Sequence, residues 1–480
     1  MTEPGATVGE PLTWVFQGVL TPRDKQEDDY KYLRFNLPPG YGLIEVSYEY
    51  SRDSRSVLDI GMLDPEGSFR GWSGSDKPRF SISASKATPG YVAGEIKPGP
   101  WTIILGLARI PAGGCSYRVV VKAWRHGEYL IGEHCFEESV APQAARKPAV
   151  SKGWIKGDLH VHSHHSDGKH SIRELVDKAL EQGLDYIAVT DHSTNSQFYE
   201  IMRIRDPPVL LIPGVEVTTY HGHLNVWGGS WFDFRRRRLE DFVKLVNEVH
   251  EKGLIVSVDH PRDLGELCIG CDFEFKQLRG FDAVEVWNGP WFVKNWEPLA
   301  WWHSLLSEGL RVTAVGGSDY HGGEGSFVRL SEPTTWIRVD SPSVRGVISS
   351  VKQGRVSISQ SPSGPLLELK AYSDSRVFET GDIVDTNHGE GLKIMVEAQG
   401  GENATLRLIT SQGVEETIRV NSKVFKHVKE LRVKQGCMFA RAELGWFTDP
   451  FSVSLGEDDT VFALTNPVYF KQVSSGSCSR

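Results

Sequence analysis

Between Ile155 and Val315 the chain alternates short apolar runs with amphipathic segments, and that alternation restricts the fold more than any other feature. The runs are Ile155–His160, Tyr186–Thr190, Val209–Ile212, Leu224–Trp227, Leu254–Val258, Ala283–Trp287 and Val312–Val315. Runs of this length read as buried strands, and strands interleaved with helices belong to a mostly parallel sheet, because parallel neighbours need a crossover connection. The clearest helix opens on Ser171 and Glu174, a capping box, and closes at Gly183. It places Ile172, Leu175, Val176, Ala179 and Leu180 on one face. A second sets Leu239, Phe242, Val243 and Val246 at the same spacing, and a third spans roughly Pro298 to Ser307. Seven strands with interleaved helices predict an α/β barrel.

The flanks read differently. Ile44, Val46, Tyr48 and Tyr50 alternate with polar neighbours, Trp101–Leu107 and Tyr117–Trp124 are further strand candidates, and Pro89-Gly90 and Gly99-Pro100 mark turns. Residues 1–150 are therefore expected to form a β-sandwich accessory domain, joined through a Pro/Ala/Lys-rich linker at Ala141–Lys152 to the α/β region at 151–364. From Pro365 the helical signal stops. Leu392, Ile394, Val396 and Ala398 alternate, and Leu406–Thr410 and Val461–Leu464 are short strands, so 365–480 is expected to be a second small β domain ending near Phe470 in a frayed tail.

Composition narrows the function classes. Of 480 residues, 39% are hydrophobic and 24% charged, which is ordinary for a globular chain. The net charge of −9 argues against a dedicated nucleic-acid coat protein, leaving a nucleic-acid end as a disfavoured partner beside a small-molecule substrate. No apolar run reaches the ~20 residues of a membrane span, and the amino terminus lacks an apolar signal core, so a cytoplasmic location is expected. Oligomeric state is not legible. Six cysteines are too sparse for a disulfide scaffold, and Cys268 and Cys271 are expected as free thiols in a loop.

Twelve of the 16 histidines fall between His160 and His321. Neutral imidazole is the commonest transition-metal ligand, so the clustering points to a metal site. The histidines sit in small groups with carboxylates: Asp158-Leu-His160-Val-His162, Ser166-Asp167-Gly168, Thr190-Asp191-His192, Glu216 with His223, Asp259-His260-Pro261, and Ser318-Asp319-Tyr320-His321. Each is expected at the carboxyl end of a strand, where barrel active sites converge. Strand alternation sends His160 and His162 to one side, and likewise Asp319 and His321, so each pair can bracket an ion.

GDLHVHSHHSDG, VTDHS, GVEVTTYHGH, VDHP and GGSDYH, in this order over about 155–325, resemble the motifs of the PHP (polymerase and histidinol phosphatase) metallohydrolases. The flanking LDIGMLDPEGSFRGWSG, ATPGYVAGEIKPGPWTIILG and FALTNPVYF are similar to the CehA/McbA-like branch. The resemblance implies a distorted (β/α)7 barrel with accessory β domains and two or three divalent metal ions, Zn, Mn or Fe. It implies a first metal on His160, His162, Glu216 and Asp319, with Glu216 bridging to a second on His223 and His260, and a third on Asp167, His192 and His321. Some relatives use a histidine near Asp167 at the third site, and His164 and His165 stand close by. Asp158 and Asp191 read as orienters of neighbouring histidines, with either also a candidate proton carrier.

For a metal-bridging hydroxide the resemblance implies two chemistries, the first from the wider PHP family and the second from the CehA/McbA-like branch. Hydrolysis of small phosphate esters, nucleotides or single-strand ends needs cations, for which Arg262 is the candidate clamp and Lys169 a weaker one; the Arg235–Arg238 run reads as a solvated helix start. Aryl carbamate or carboxylester hydrolysis would use an aromatic wall, for which WNGPWFVKNW (Trp287–Trp296) is a candidate, with Asn288 as hydrogen-bond donor to substrate. A third reading is a non-catalytic metal- or carbohydrate-binding protein. No GxSxG elbow or phosphate-binding GxxxxGK[ST] loop competes. His250 and His303 are expected on helices in surface or structural roles, and His170 and His221 are undecided.

Overall fold

The structure is a computed structural model describing residues 9–52, 55–126, 153–373, 376–386, 390–434 and 436–472. The expected linker at Ala141–Lys152 and the tail from residue 473 lie outside the described residues.

The chain is a mixed α/β protein. The elements that carry the site run β1 (Gly153–Val161), α1 (Ile172–Glu181), β2 (Tyr186–Val189), α2 (Ser196–Ile201), β3 (Leu210–Thr219), β4 (Gly222–Trp227), α3 (Leu239–Glu251), β5 (Ile255–Val258), β6 (Ala283–Asn288), α4 (Trp296–Ser307), β7 (Thr313–Gly317), β8 (Thr334–Val339), α5 (Val344–Lys352) and β9 (Val356–Ser359). β1 to β7 lie side by side in chain order. The sheet bends until its last strand reaches its first: Asp319 N–H donates to His160 O (2.9 Å) and His162 N–H to Tyr320 O (3.0 Å). Beyond β1 the same sheet continues through antiparallel β8 and β9.

Local chemistry explains the helices. Ser171 Oγ accepts from Glu174 N–H (3.3 Å), Glu174 Oε2 accepts from Ser171 N–H (2.7 Å), and Gly183 at φ 65° follows the helix end. Ile172, Leu175, Val176 and Ala179 are buried as expected, but Leu180 is exposed, because the fifth apolar position falls past the edge of a stripe this narrow. Likewise α3 buries Phe242, Leu245, Val246 and Val249 and leaves Val243 to solvent. A different strand direction also departs from expectation: β4 pairs antiparallel with both β3 and β5, the only two residues between it and β3 being Tyr220 and His221. A connection that short cannot make a parallel crossover.

Ahead of this region lie two four-stranded sheets. One is ordered Leu12–Leu20, Cys115–Arg125, Tyr41–Tyr50, Arg79–Ser83; the other Tyr30–Leu37, Gly99–Arg109, Val57–Leu63, Phe69–Trp72. They enclose one apolar cluster including Ile44, Ile60, Trp101 and Val121. After α5 the strands Leu366–Ser373, Gly391–Gln399 and Val424–Arg432 pair in a further four-stranded sheet with Arg376–Glu379. The strand Thr460–Thr465 instead hydrogen-bonds to β9, so sheet pairing crosses the expected boundary at 364/365.

Candidate metal centre

His160 and His162 occupy alternate positions at the end of β1, both fully buried, with ring centroids 5.0 Å apart. Gly317 at the end of β7 makes room for His160 and Glu285: a Cβ there would lie 2.4 Å from His160 Cβ and 2.3 Å from Glu285 Oε1. Asp319 follows at φ 57° and His260 follows β5 at φ 30°, left-handed conformations that non-glycine residues rarely hold and that cluster at functional sites.

Four side-chain atoms form the first cage. His162 Nε2 lies 3.0 Å from Asp319 Oδ1 and 3.5 Å from Glu216 Oε2, and His160 Nε2 lies 3.5 Å from each of those oxygens. Donors on tetrahedral corners around an ion with bonds of roughly 2.0–2.2 Å would be about 3.3–3.6 Å apart. The other Glu216 oxygen, Oε1, lies 2.9 Å from His223 Nδ1 and 3.3 Å from His260 Nε2, forming a second set that shares this carboxylate. In the third, His321 Nε2 lies 3.1 Å and His192 Nε2 3.5 Å from Asp167 Oδ1, and the two nitrogens are 3.4 Å apart. All nine residues that the motifs singled out as ligands thus meet in one cluster.

These donors fit metal ions by a second criterion. His160 Nε2, His162 Nε2, Glu216 Oε2, His223 Nδ1, Asp167 Oδ1 and Asp319 Oδ1 are buried with no hydrogen-bond partner. Buried polar atoms are otherwise almost always satisfied, and leaving six of them facing one another would be costly without a cation between them.

Charge runs through the cluster accordingly. Burial opposes ionisation of Glu216, yet His192, His160 and His223 outweigh it and hold the carboxyl well below its ordinary range. Asp319 is lowered in the same way, against burial, by His160 and His162. Burial together with His321 and His192 pushes His162 down to about 4. Against burial, Glu216 and Asp167 raise His192 to about 9, and Asp167 raises His321 to about 10.

Around the donors stand groups that aim them. Glu285 on β6 is buried; its Oε1 lies 3.0 Å from His160 Nδ1, and its Oε2 accepts from His260 N–H (3.1 Å) and Asn288 Nδ2 (3.0 Å). Asp158 accepts from the backbone N–H of His160, Ser318 and Ser331 and from Ser318 Oγ, fixing the turn that carries Asp319. Burial raises its carboxyl to about 6 against those bonds. Asp191 accepts from the N–H and Oγ of both Ser163 and Ser166. It therefore shapes the loop that delivers Asp167, and with both oxygens committed it does not stand ready as a proton carrier. Asp259, by contrast, is buried with both oxygens unpartnered. Burial pushes its carboxyl well above the usual range against the pull of His160, with Glu285, Glu216 and Asp319 adding to the rise.

Several expectations are corrected here. Arg262 is not a free clamp: its Nη1 donates to Asn288 O (3.0 Å) and Asn295 Oδ1, and its Nη2 to Asn288 Oδ1 (2.6 Å). Both ends of the Asn288 amide are engaged, by Arg262 and Glu285, so Asn288 braces Glu285 where a donor to substrate was expected. His223 stands at the start of its strand, because β4 runs antiparallel and presents its first residues at this edge. His164 and His165 turn away from Asp167 to Glu200, at 3.1 and 2.7 Å. Trp287 and Trp291 are core residues whose indoles donate to Gly289 O and Asp459 O; the exposed aromatics nearby are Phe292 and Phe327, with ring centroids 6.2 Å apart. Cys268 and Cys271 are joined in a disulfide.

The remaining cations and histidines are tied into structure. Lys169 pairs with Asp76 (3.3 Å), Arg235 with Asp233 (2.7 Å) and Arg236 with Glu248 (2.6 Å), while Arg237 donates to the carbonyls of Gln26 and Glu27. His170 meets Tyr320 Oη, His221 bridges Glu274 and Asp29, His250 meets Asp282, and His303 faces Arg441. The amino-terminal sheets also touch the site loops: Tyr220 Oη donates to Asp59 Oδ2 (2.6 Å), Lys77 to Ser166 O, and Gly90 N–H to Ser196 Oγ (2.9 Å). Glu285 and these docking residues were missed from sequence, while Asp259 was placed in a strand-end cluster without a role of its own. A lone carboxylate at an inward position of the otherwise apolar run Ala283–Trp287 was the available signal for Glu285.

A mixed α/β chain with neighbouring His/carboxylate donor sets at one edge of its sheet has the makings of a metal-binding protein. The family model of the PHP domain matches residues 158–427, more than half of the chain, and the chain belongs to that family. Over 44 residues it is 52% identical to the DNA polymerase/3'-5' exonuclease PolX of Bacillus subtilis, covering 9% of this chain and 8% of that protein. Over 65 residues it is 42% identical to a 5'-3' exoribonuclease of Haemophilus influenzae, covering 13% of this chain and 24% of that protein. The chain therefore spans less than a quarter of the length of either relative. Among solved structures it is similar to a two-domain protein containing a predicted PHP-like metal-dependent phosphoesterase from Bacteroides vulgatus, with 17% identity, 67% of this chain and 100% of that chain covered, and a TM-score of 0.37. It is also similar to an amidohydrolase from Chromobacterium violaceum, with 18% identity, 42% and 96% covered, and a TM-score of 0.27. Among the described residues no helix is long and apolar enough to cross a membrane.

Proposed function

We propose that the chain is a metal-dependent hydrolase acting on phosphate esters: small phosphoesters, nucleotides or single-strand ends. The observation that carries this is Glu216, whose two oxygens serve two adjacent donor sets and whose neighbours point unpartnered atoms inward. Adjacent cations need a shared anion between them to offset their repulsion. His160, His162, Glu216 and Asp319 would hold one ion, Glu216, His223 and His260 a second, and Asp167, His192 and His321 a third. Divalent Zn, Mn or Fe held there would supply Lewis-acid chemistry, activating water for attack and offsetting charge on the attacked group. The protein's own part is positional. Glu285 sets the His160 ring, Asp158 the Asp319 turn and Asp191 the loop bearing Asp167. The Arg262 Nη atoms are committed to Asn288 and Asn295, so phosphate charge would be met chiefly by the ions. Short matches to an exonuclease-polymerase and an exoribonuclease support phosphoester chemistry over the alternatives.

We read the fold as a distorted (β/α)7 barrel with β-sandwich-like flanks, in support of which the seven strands lie in order and the last touches the first. A second reading, aryl carbamate or ester hydrolysis in the manner of the CehA/McbA-like branch, draws support from the exposed Phe292–Phe327 pair. These rings sit on the loops after β6 and β7, the strands that end at Asn288 and just before Asp319. Assays of the metal-loaded protein on p-nitrophenyl phosphate, bis-p-nitrophenyl phosphate and p-nitrophenyl acetate separate the two. Phosphate turnover is expected; turnover of the acetate alone would overturn the phosphoester reading in favour of the second.

A further inference from the structure

The segment Cys268–Cys271 wraps the His223 end of the site. Ile269 O accepts from His223 Nε2 (2.9 Å), which leaves Nδ1 facing Glu216. Gly270, at φ 90°, lies so close that a Cβ there would meet His223 Nε2 at 3.0 Å. Arg262 N–H, two residues after His260, donates to Cys271 O (2.9 Å). The Cys268–Cys271 segment is thus tied to both histidine-bearing segments, and Cys271 is buried. Its sulfur and one ring nitrogen from each of His223 and His260 all lie within 4.8 Å of one another. In the disulfide that sulfur is spent on Cys268, which is half-buried beside the exposed Leu267.

We propose that reduction of the Cys268–Cys271 disulfide releases Cys271 as a thiolate ligand that joins His223 and His260, making this end of the site a redox-switched metal site. The inference rests on the metal-centre reading above. With Glu216, the two histidines make three donors, the count of a site with an open position, and a thiolate would make four, the count of a closed one. The chemistry is thiol–disulfide exchange with a dithiol. One thiolate of the reductant attacks the more accessible Cys268 Sγ, and the S–S bond breaks with its electron pair leaving on Cys271. The second reductant thiol then displaces Cys268, so the reductant becomes a cyclic disulfide and two electrons and two protons have passed to the protein. On ligation Cys271 gives its proton to solvent.

The test is Co(II) substitution of the full chain, oxidised and after reduction with a dithiol that is removed before metal is added. Visible d–d bands report that cobalt is bound, and a near-ultraviolet thiolate-to-cobalt charge-transfer band reports sulfur. The charge-transfer band is expected in the reduced wild type and in Cys268→Ser, and its loss in the oxidised wild type and in reduced Cys271→Ser, with d–d bands retained throughout. Circular dichroism checks that the serine variants fold. Retained d–d bands without a charge-transfer band in the reduced wild type and Cys268→Ser would overturn the switch and leave the metal centre standing. Absence of d–d bands in every sample would overturn both, and persistence of the charge-transfer band in Cys271→Ser would assign the sulfur elsewhere and overturn the inference.

Discussion

Replacing Glu285 by Gln changes one atom in the side chain and no volume, yet the geometry leaves the amide no comfortable orientation. Glu285 Oε1 faces His160 Nδ1 at 3.0 Å, while Oε2 accepts two bonds, from His260 N–H and Asn288 Nδ2. If the new NH2 takes the Oε1 place it confronts the His160 N–H; if it takes the Oε2 place it confronts two donors. At least one buried donor is left unsatisfied, at about 1–3 kcal/mol. Carboxylates that orient a ligating imidazole typically contribute 10–100-fold to metal affinity, or about 1.4–2.7 kcal/mol. The two ranges agree, so a tenfold to hundredfold weaker first metal is expected in Glu285→Gln. Competition against a chromophoric chelator measures it, with circular dichroism confirming an unchanged fold. An affinity equal to wild type in a folded variant would refute the claim that Glu285 aims His160.

Two further substitutions probe packing and charge. Gly317→Ala would drive a methyl group into His160 and Glu285 and should cost about 1–3 kcal/mol by overpacking, with loss of first-site metal; thermal unfolding and metal content check it. Glu443, buried between Arg407 and Arg441 in the carboxyl-terminal strands, is held at about 2 because the two guanidinium groups outweigh the effect of burial. Its folded value is depressed, so its contribution is present above the unfolded value of about 4.3 and is lost as pH falls from there towards 2. Glu443→Gln should destabilise by roughly 3–5 kcal/mol at neutral pH, since it strands two buried cations, and the gap to wild type should narrow through that acid window. Thermal melts across pH test this, and a gap that does not change with pH would contradict it.

Much of the site follows from local pattern. His160 and His162 share a strand face because alternate residues do, and that holds whatever the rest of the chain does. The capping box at Ser171 and Glu174 is local in the same sense, which is why the helix start was legible. What stayed hidden depends on contacts distant in sequence. Arg262 looks like a phosphate clamp until Asn295, 33 residues on, takes its guanidinium. His164 and His165 look like third-site candidates until α2 brings Glu200 beneath them. The direction of β4 turns on the Tyr220-His221 link, two residues that carry no turn signal strong enough to announce an antiparallel pair. The disulfide, too, is a matter of loop conformation, which a lone CxxC leaves open.

That the donor cluster holds metal for hydrolysis is tested most directly by elemental analysis paired with turnover in wild type and in the double variant His160→Ala, His162→Ala. Wild type is expected to carry two or three divalent ions per chain and to hydrolyse bis-p-nitrophenyl phosphate. The double variant should fold, lose the first-site metal and turn over nothing. A wild-type chain that retains no metal after reconstitution, or a double variant that still turns over substrate, would contradict it.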